Sequence, residues 1–446
     1  MRLSAVALGL ATMLALVACD SNQESAAPRA STTSTACGTD SGRGCAAASK
    51  RVDLNRPSFS DSTNFTNPLF PISRLHSTLL LGHVDDKPFR TETTLLPGTR
   101  TVTWNDEQIP VLVSQYMAYL DGRLEEVALD RYAQADDGSV WYFGEDVFDY
   151  RNGAIAVTEG TWLAGRGNPA AMIMPAKPTV DEVYRTENAP GIVFEEVTVK
   201  SVGQTVEGPR GPVEGAMIAA ELHSDGTTED KVFAPGYGEF RTAGGGDLEA
   251  LALAVPTDAL QGPMPAELAS LAESAEGILE AARIANWAGA SATLRRMNAA
   301  WKTLRAGNQP PMIAARLSKD LVELTRSVKA QRPARTTQKA IDVAQSVLDL
   351  ELRYRPRAEI DAARFNLWTQ QLRIHAAAKD MAGVTGDVAV LEWIRDRIAH
   401  TIDTAGRSEI NSRLRALRTA TDARNLPAAA DHAARLGARL RGLTEG

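Results

Sequence analysis

The chain has 446 residues, 44% of them hydrophobic, which is long enough for two folded domains. Its net charge of −7 is unevenly spread: positions 263–446 carry 28 Lys and Arg against 20 Asp and Glu, a net of +8, so positions 1–262 carry −15. The three cysteines, Cys19, Cys37 and Cys45, all fall in the first 45 residues, which excludes a cysteine nucleophile in either folded part.

Arg2 makes a short positive start, and Val6 to Leu16 is an apolar run too short for a membrane span. Leu16-Val-Ala-Cys19 follows. This resembles the lipobox of bacterial lipoproteins, which implies a signal peptide over 1–18, cleavage before Cys19 and acylation (palmitate) of its thiol. Asp20 resembles the signal that keeps some Gram-negative lipoproteins on the inner membrane. The resemblance implies a cell-envelope protein, lipid-anchored on the outer face of the cytoplasmic membrane and without a nucleic-acid partner. Residues 19–52 are Ser, Thr, Ala and Gly with few large apolar side chains, so they read as a flexible tether. Cys37 and Cys45 are read as a disulfide pair or idle thiols; no histidine nearby supports a metal site.

Residues 53–245 read as antiparallel β. Strand-like runs fall at 75–84, 89–96, 101–104, 109–120, 123–133, 140–143, 154–158, 192–202, 213–223 and 231–234. Asp121-Gly122, Asp137-Gly138, Asn152-Gly153 and Asp225-Gly226 punctuate them as turns. The pattern predicts a meander forming a curved sheet or an open barrel. Its centre is the hairpin from Asp130 to Asp146, where Asp137 and Gly138 are expected to supply two positive φ angles and Tyr132 to pack against the run Val140-Trp-Tyr-Phe143.

Asn67-Pro-Leu-Phe-Pro71, Arg131-Tyr-Ala-Gln134, Gly138-Ser-Val-Trp-Tyr-Phe-Gly-Glu-Asp146, Gly160-Thr-Trp162 and Ala234-Pro-Gly-Tyr-Gly238 together resemble a group of uncharacterised bacterial secreted proteins and lipoproteins. The resemblance covers about 67–241 and implies an envelope location and a β domain.

After a linker at 246–263, residues 264–446 become rich in Ala, Leu and Arg, with apolar residues at helical spacing. Stripes such as Leu268-Leu271-Ala275-Ile278, Leu294-Met297-Trp301 and Val388-Leu391-Ile394 predict about eight helices in an antiparallel bundle. Trp287 to Leu294 aligns with Met381 to Val388, which is either a duplication of four helices or chance. The fold class is therefore α+β in two segregated domains, expected to fold separately.

No serine elbow, zinc-protease, P-loop or di-iron motif occurs, and no cofactor is predicted. Glu145 and Asp146 are adjacent on a strand and point to opposite faces, so they cannot act as one dyad. His375 continues an apolar stripe and is the one histidine expected inside the bundle. It is either bonded to a carboxylate or a weak metal or haem ligand with Met297 or Met381. His223 reads as an exposed turn residue. Trp141, Tyr142 and Glu145 are weak ligand-binding candidates, since aromatics in a sheet are more often core. The leading reading is a membrane-anchored, non-enzymatic binding or assembly module with an anionic envelope partner for the basic helices. The alternative is a metal- or haem-handling accessory protein or hydrolase using His375 or the Glu145/Asp146 region.

Overall fold

A computed structural model describes residues 45–444, and these belong to one compact unit. The expected signal peptide, Cys19, Cys37 and most of the expected tether lie outside the described residues. The architecture is α+β, a large antiparallel sheet followed by a helical part. The strands are β1 (Ser77–Val84), β2 (Lys87–Leu95), β3 (Arg100–Trp104), β4 (Glu107–Leu120), β5 (Arg123–Gln134), β6 (Val140–Arg151), β7 (Ala154–Val157) and β8 (Trp162–Leu163). They continue with β9 (Ala171–Met174), β10 (Val183–Ala189), β11 (Val193–Gly208), β12 (Gly211–His223), β13 (Thr228–Ala234), β14 (Gly238–Gly244) and β15 (Asp247–Val255).

The strand order is β10-β11-β12-β13-β14-β15-β1-β2-β4-β5-β6-β7, with β3 on β4 and both β8 and β9 on β6. Strands β11–β13 and β5–β6 stand near opposite ends of this order. Even so, Val197, Met217 and Phe233 share one apolar cluster with Tyr132, Tyr142 and Phe143. The sheet therefore curls until its ends approach, as an open barrel: β10 packs beside β9 without a hydrogen-bonded ladder. Inside the curl, Tyr132 and Tyr142 are register partners with rings stacked at 4.8 Å.

The motifs behind the family resemblance meet in space. Backbone N–H groups of Thr66 and Asn67 donate to Gln134 Oε1, Asn67 Nδ2 donates to Gly138 O and Pro175 O, and Gly236 N donates to Pro68 O. Residues 65–72 thus latch the central hairpin to the β13–β14 turn.

Several expectations need correction. Positive φ pairs occur at Asp121-Gly122 and Asn152-Gly153, but at the central hairpin only Gly138 has one; the Asp137 carboxylate instead accepts from Ser139 N and Oγ. Residues 246–263 are not simply a linker, because Asp247–Val255 is β15, which pairs with β14 and β1. Its apolar alternation was masked by the preceding Gly-rich turn. Nor is 45–52 plain tether. Val52 N donates to Val183 O at the sheet edge, Ala46 N donates to Glu196, and Cys45 is disulfide-bonded to a partner outside the described residues.

The helices are α1 (Ala266–Arg283), α2 (Trp287–Leu304), α3 (Pro311–Lys329), α4 (Pro333–Glu351), α5 (Arg357–Ala377), α6 (Met381–Ile398), α7 (Thr404–Asp422) and α8 (Leu426–Thr444). The expected stripes are their buried faces. The four-helix packing pattern occurs twice: α1 lies on α2 and α4 with α3 on α4, and α5 lies on α6 and α8 with α7 on α8. Trp287 and Met381 open α2 and α6, which are capped alike: Asn286 accepts from Gly289 N and Asp380 from Gly383 N. Ala285, Gln331, Lys379 and Arg424 turn each hairpin in the left-handed region. No helix among the described residues is long and apolar enough to cross a membrane.

The two halves are not separately packed. Leu79, Leu81, Leu253 and Val255 join the apolar cluster of α1–α4, while Met117, Tyr119 and Val127 join that of α5–α8. A buried ionic seam runs between them. Arg90 on β2 donates to Asp349 on α4, Arg364 on α5 to the same Asp349 at 2.8 Å, and Arg397 on α6 to Glu92 on β2 at 2.7 Å and to Gln115 on β4. Burial alone would raise the Glu92 carboxyl, but Arg364, Arg90 and Arg397 hold it well below the usual range.

Candidate functional site

His375 lies on α5 against α6. Its Nδ1 is 2.7 Å from Asp387 Oδ2 and its Nε2 3.0 Å from Gln371 Nε2, so both ring nitrogens are engaged. A Cβ added at Gly383 would come within 2.6 Å of the ring. Burial works against the imidazolium, but the Asp387 hydrogen bond and the Asp387 and Asp380 charges together outweigh it and raise the pKa, while burial pushes Asp387 up to about 6. A metal would have to displace one of these partners.

Trp141 is buried in the same apolar cluster as Tyr142 but on the opposite face of β6, its indole N–H donating to Ser139 Oγ at 2.8 Å. Glu145 and Asp146 do point apart: Asp146 pairs with Arg131, while Glu145 faces inward. Gly144, at φ +112°, turns the chain between Phe143 and Glu145, and a Cβ there would strike Trp162 O at 2.2 Å. The partner hidden from the sequence is Glu187 on β10. Burial first, and then the Glu187 charge and hydrogen bond, push Glu145 well above the ordinary carboxyl range, so the pair shares a proton. It sits where the two ends of the sheet meet, with Trp162 Nε1 3.4 Å from Glu187 Oε1. Beside it, Asp130 accepts from Tyr142 at 2.8 Å and from Ser114 at 3.2 Å.

A second inward-facing group lies on β11–β15: Glu195, Glu221, Glu229, Glu239 and Glu249, with Lys231 among them. Lys231 Nζ is 2.9 Å from Glu221 Oε2 and 3.4 Å from Glu229 Oε1. His223 is not an exposed turn residue. Its Nδ1 is 3.4 Å from Glu195 and its Nε2 3.5 Å from Glu229, carboxylates of β11 and β13, the strands that flank β12 in the sheet. Burial opposes its charge, yet these hydrogen bonds raise its pKa to about 10. Burial followed by Glu195 pushes Glu221 up to about 7, and burial followed by Glu239 pushes Glu249 up to about 8. Glu195, Glu221 and His223 bring ligand atoms within 4.8 Å of one another, the spacing a cation would use. Here the Lys231 ammonium fills that role, and protons neutralise what it does not. This interior is a mutually ion-paired polar network, with Lys231 and His223 set among its carboxylates.

Larger open concavities of ligand size lie elsewhere. Adjoining cavities of about 820 and about 880 Å³ share Leu279, Arg283, Gln370 and Arg373, forming one groove between α1 and α4 on one side and α5 and α8 on the other. Small residues make it: Ala272, Ala275, Ala340 and Ala344 face Ala362 and Ala363, where longer side chains would have closed the helices together. The sequence signal was present as alanine richness, but nothing in a linear stripe says which alanines face a gap.

No family model and no curated protein matches this chain. The site must therefore be read from its own geometry.

Proposed function

We propose that this chain is a lipid-anchored lipoprotein of the bacterial cell envelope that acts as a non-enzymatic binding module, with the groove between its helical halves as the binding site. Leu16-Val-Ala-Cys19 supports the anchor. The observation that carries the binding reading is the groove itself, whose two parts each fall in the range of about 300–1,000 Å³ typical of ligand sites. The enzymatic alternative is less favoured because its candidate groups are committed, His375 to Asp387 and Gln371, Glu145 to Glu187, and Asp146 to Arg131.

Native mass spectrometry of the full chain isolated from its own cells tests the reading. A noncovalent small molecule should accompany the protein and be lost when Ala363→Trp fills the groove. Retention of that molecule by a folded Ala363→Trp variant would count against the groove.

A further inference from the structure

The groove is electrically lopsided. The part lined by Glu276, Glu280 and Glu359 holds as many acids as bases, the bases being Arg283, Arg355 and Arg373. The other part is lined by Arg283, Arg373, Lys379 and Arg424, with no acid in its wall. Among the described residues Arg373, Lys379 and Arg424 form no ion pair; Arg373 donates only to Gln370, at 2.8 Å, and Arg283 is held by Glu280 at the rim. Burial and the facing Arg283 cation disfavour the charge on Arg373, outweighing the smaller pull of Glu280 at the rim. Cations gathered without a counter-ion raise one another's energy, and a bound anion removes that cost.

Helix geometry explains the gathering. The C-terminal ends of α1 and α5, carrying Arg283 and Arg373, meet the N-terminal starts of α4 and α8, and the left-handed corners at Lys379 and Arg424 project two more cations there. The floor next to them is apolar, formed by Leu279, Ala334, Ile374, Ala376 and Leu426. An apolar trough that ends in an uncompensated basic cluster matches an amphiphile with a hydrocarbon chain and an anionic head.

Resting on the binding reading above, we propose that the occupant is an anionic phospholipid, with an acyl chain over the apolar floor of Leu279, Ala334, Ile374, Ala376 and Leu426 and its phosphate against Arg373, Lys379 and Arg424. Guanidinium groups suit phosphate oxygens because their paired N–H donors match them.

The test uses the full chain in a nonionic detergent held at constant concentration. Native mass spectrometry follows titration with dihexanoyl phosphatidylglycerol, dihexanoyl phosphatidylcholine or inorganic phosphate. Phosphatidylglycerol should bind at 1:1 and at least ten times more tightly than phosphatidylcholine, and inorganic phosphate should not displace it. The variant Arg373→Gln/Lys379→Gln/Arg424→Gln, checked for unchanged circular dichroism, should bind the two lipids equally. Ala334→Trp, which leaves the cations in place, should weaken phosphatidylglycerol by a similar factor. Equal affinity for the two lipids in the unmodified chain overturns the proposal, as does displacement by phosphate or an unaffected Gln variant. If phosphatidylglycerol fails but the protein from its own cells still carries a groove-bound molecule, the lipid assignment falls and the binding reading stands.

Discussion

Arg90 on β2 and Asp349 on α4 lie 259 positions apart and form a two-point ion pair, Nη1 to Oδ2 at 2.6 Å and Nη2 to Oδ1 at 2.8 Å, shut away from solvent. Removing one member strands a buried charge, which typically costs about 3–5 kcal/mol. Asp349→Asn is expected to lower the unfolding free energy by that amount in urea titrations. Arg90→Met combined with Asp349→Leu should recover part of the loss, since the desolvation costs of both disappear while Arg364, which also loses Asp349, keeps Glu92 and Asp361 nearby. A single variant within about 0.5 kcal/mol of the parent would show that the seam does not hold the halves together.

Stability should fall on both sides of a mildly acidic optimum, through different networks. Glu249, raised from 4.5 to about 8, and Glu221, raised to about 7, are held protonated in the folded chain. Their contribution is full below pH 4.5, where the unfolded chain is protonated too, and is lost as pH rises to 7–8. His223, raised from 6.5 to about 10, adds a loss between those values. The seam acts in reverse. Glu92 and Asp349 are lowered from 4.5 and 3.8, so their contribution is present above those values and lost as pH falls below them. Urea midpoints across pH 3–10 check this. Glu249→Gln should flatten the decline between pH 5 and 8, and an unchanged slope would remove Glu249 from the account.

Two glycines with nearly the same backbone separate strain from contact. Gly122 has φ +77° with nothing within 4 Å of an added Cβ, whereas Gly153 has φ +79° and its Cβ would meet Ala382 O at 2.1 Å and Gly386 N at 2.5 Å on α6. Gly122→Ala should cost about 1–2 kcal/mol, the left-handed penalty alone. Gly153→Ala should cost clearly more, because the β6–β7 turn must lift off α6. Equal melting temperatures for the two variants would contradict the close approach.

Trp141→Ala should cost about 3–5 kcal/mol, the usual loss for truncating a buried aromatic. Glu145→Gln next to it should change stability at pH 7 by less than about 1 kcal/mol, since an amide mimics the protonated carboxyl already present. Differential scanning calorimetry of both variants gives the comparison directly.

The local signals in the sequence proved readable where one period dominates. Long strands such as β4 and β5 and stripes such as Val388-Leu391-Ile394 carry their pattern in consecutive residues. β8, β9, β10, β14 and β15 were not read as strands: two to four residues hold no period in β8 and β9, β10 and β14 carry mostly polar or small residues, and β15 follows a Gly-rich turn. The expectation of separate domains came from the switch of composition and charge near position 246. The seam that joins the halves uses isolated polar residues, Arg90, Glu92, Asp349 and Arg397, whose meeting depends on tertiary geometry alone. Glu187 was missed because a curled sheet brings strands from its far ends face to face, and His223 was misjudged because its partners Glu195 and Glu229 come from the neighbouring strands β11 and β13, a pairing that no spacing along the chain encodes.

The ladder between β1 and β15 and the bond from Arg397 to Glu92, 305 positions apart, set a timetable for synthesis. A chain emerging N-terminus first, at about 5–20 residues per second, offers β1 long before β15 exists to pair with it. The helical hairpins need only near neighbours and can form as they appear, while the older strands wait for the younger half. Glu92 remains without Arg397 until nearly nine-tenths of the chain has been made. A nascent chain stopped at position 390 would hold every strand of its sheet and still lack one of the three cations around Glu92, so ribosome-stalled intermediates of that length should be more protease-sensitive along β2 than the complete chain.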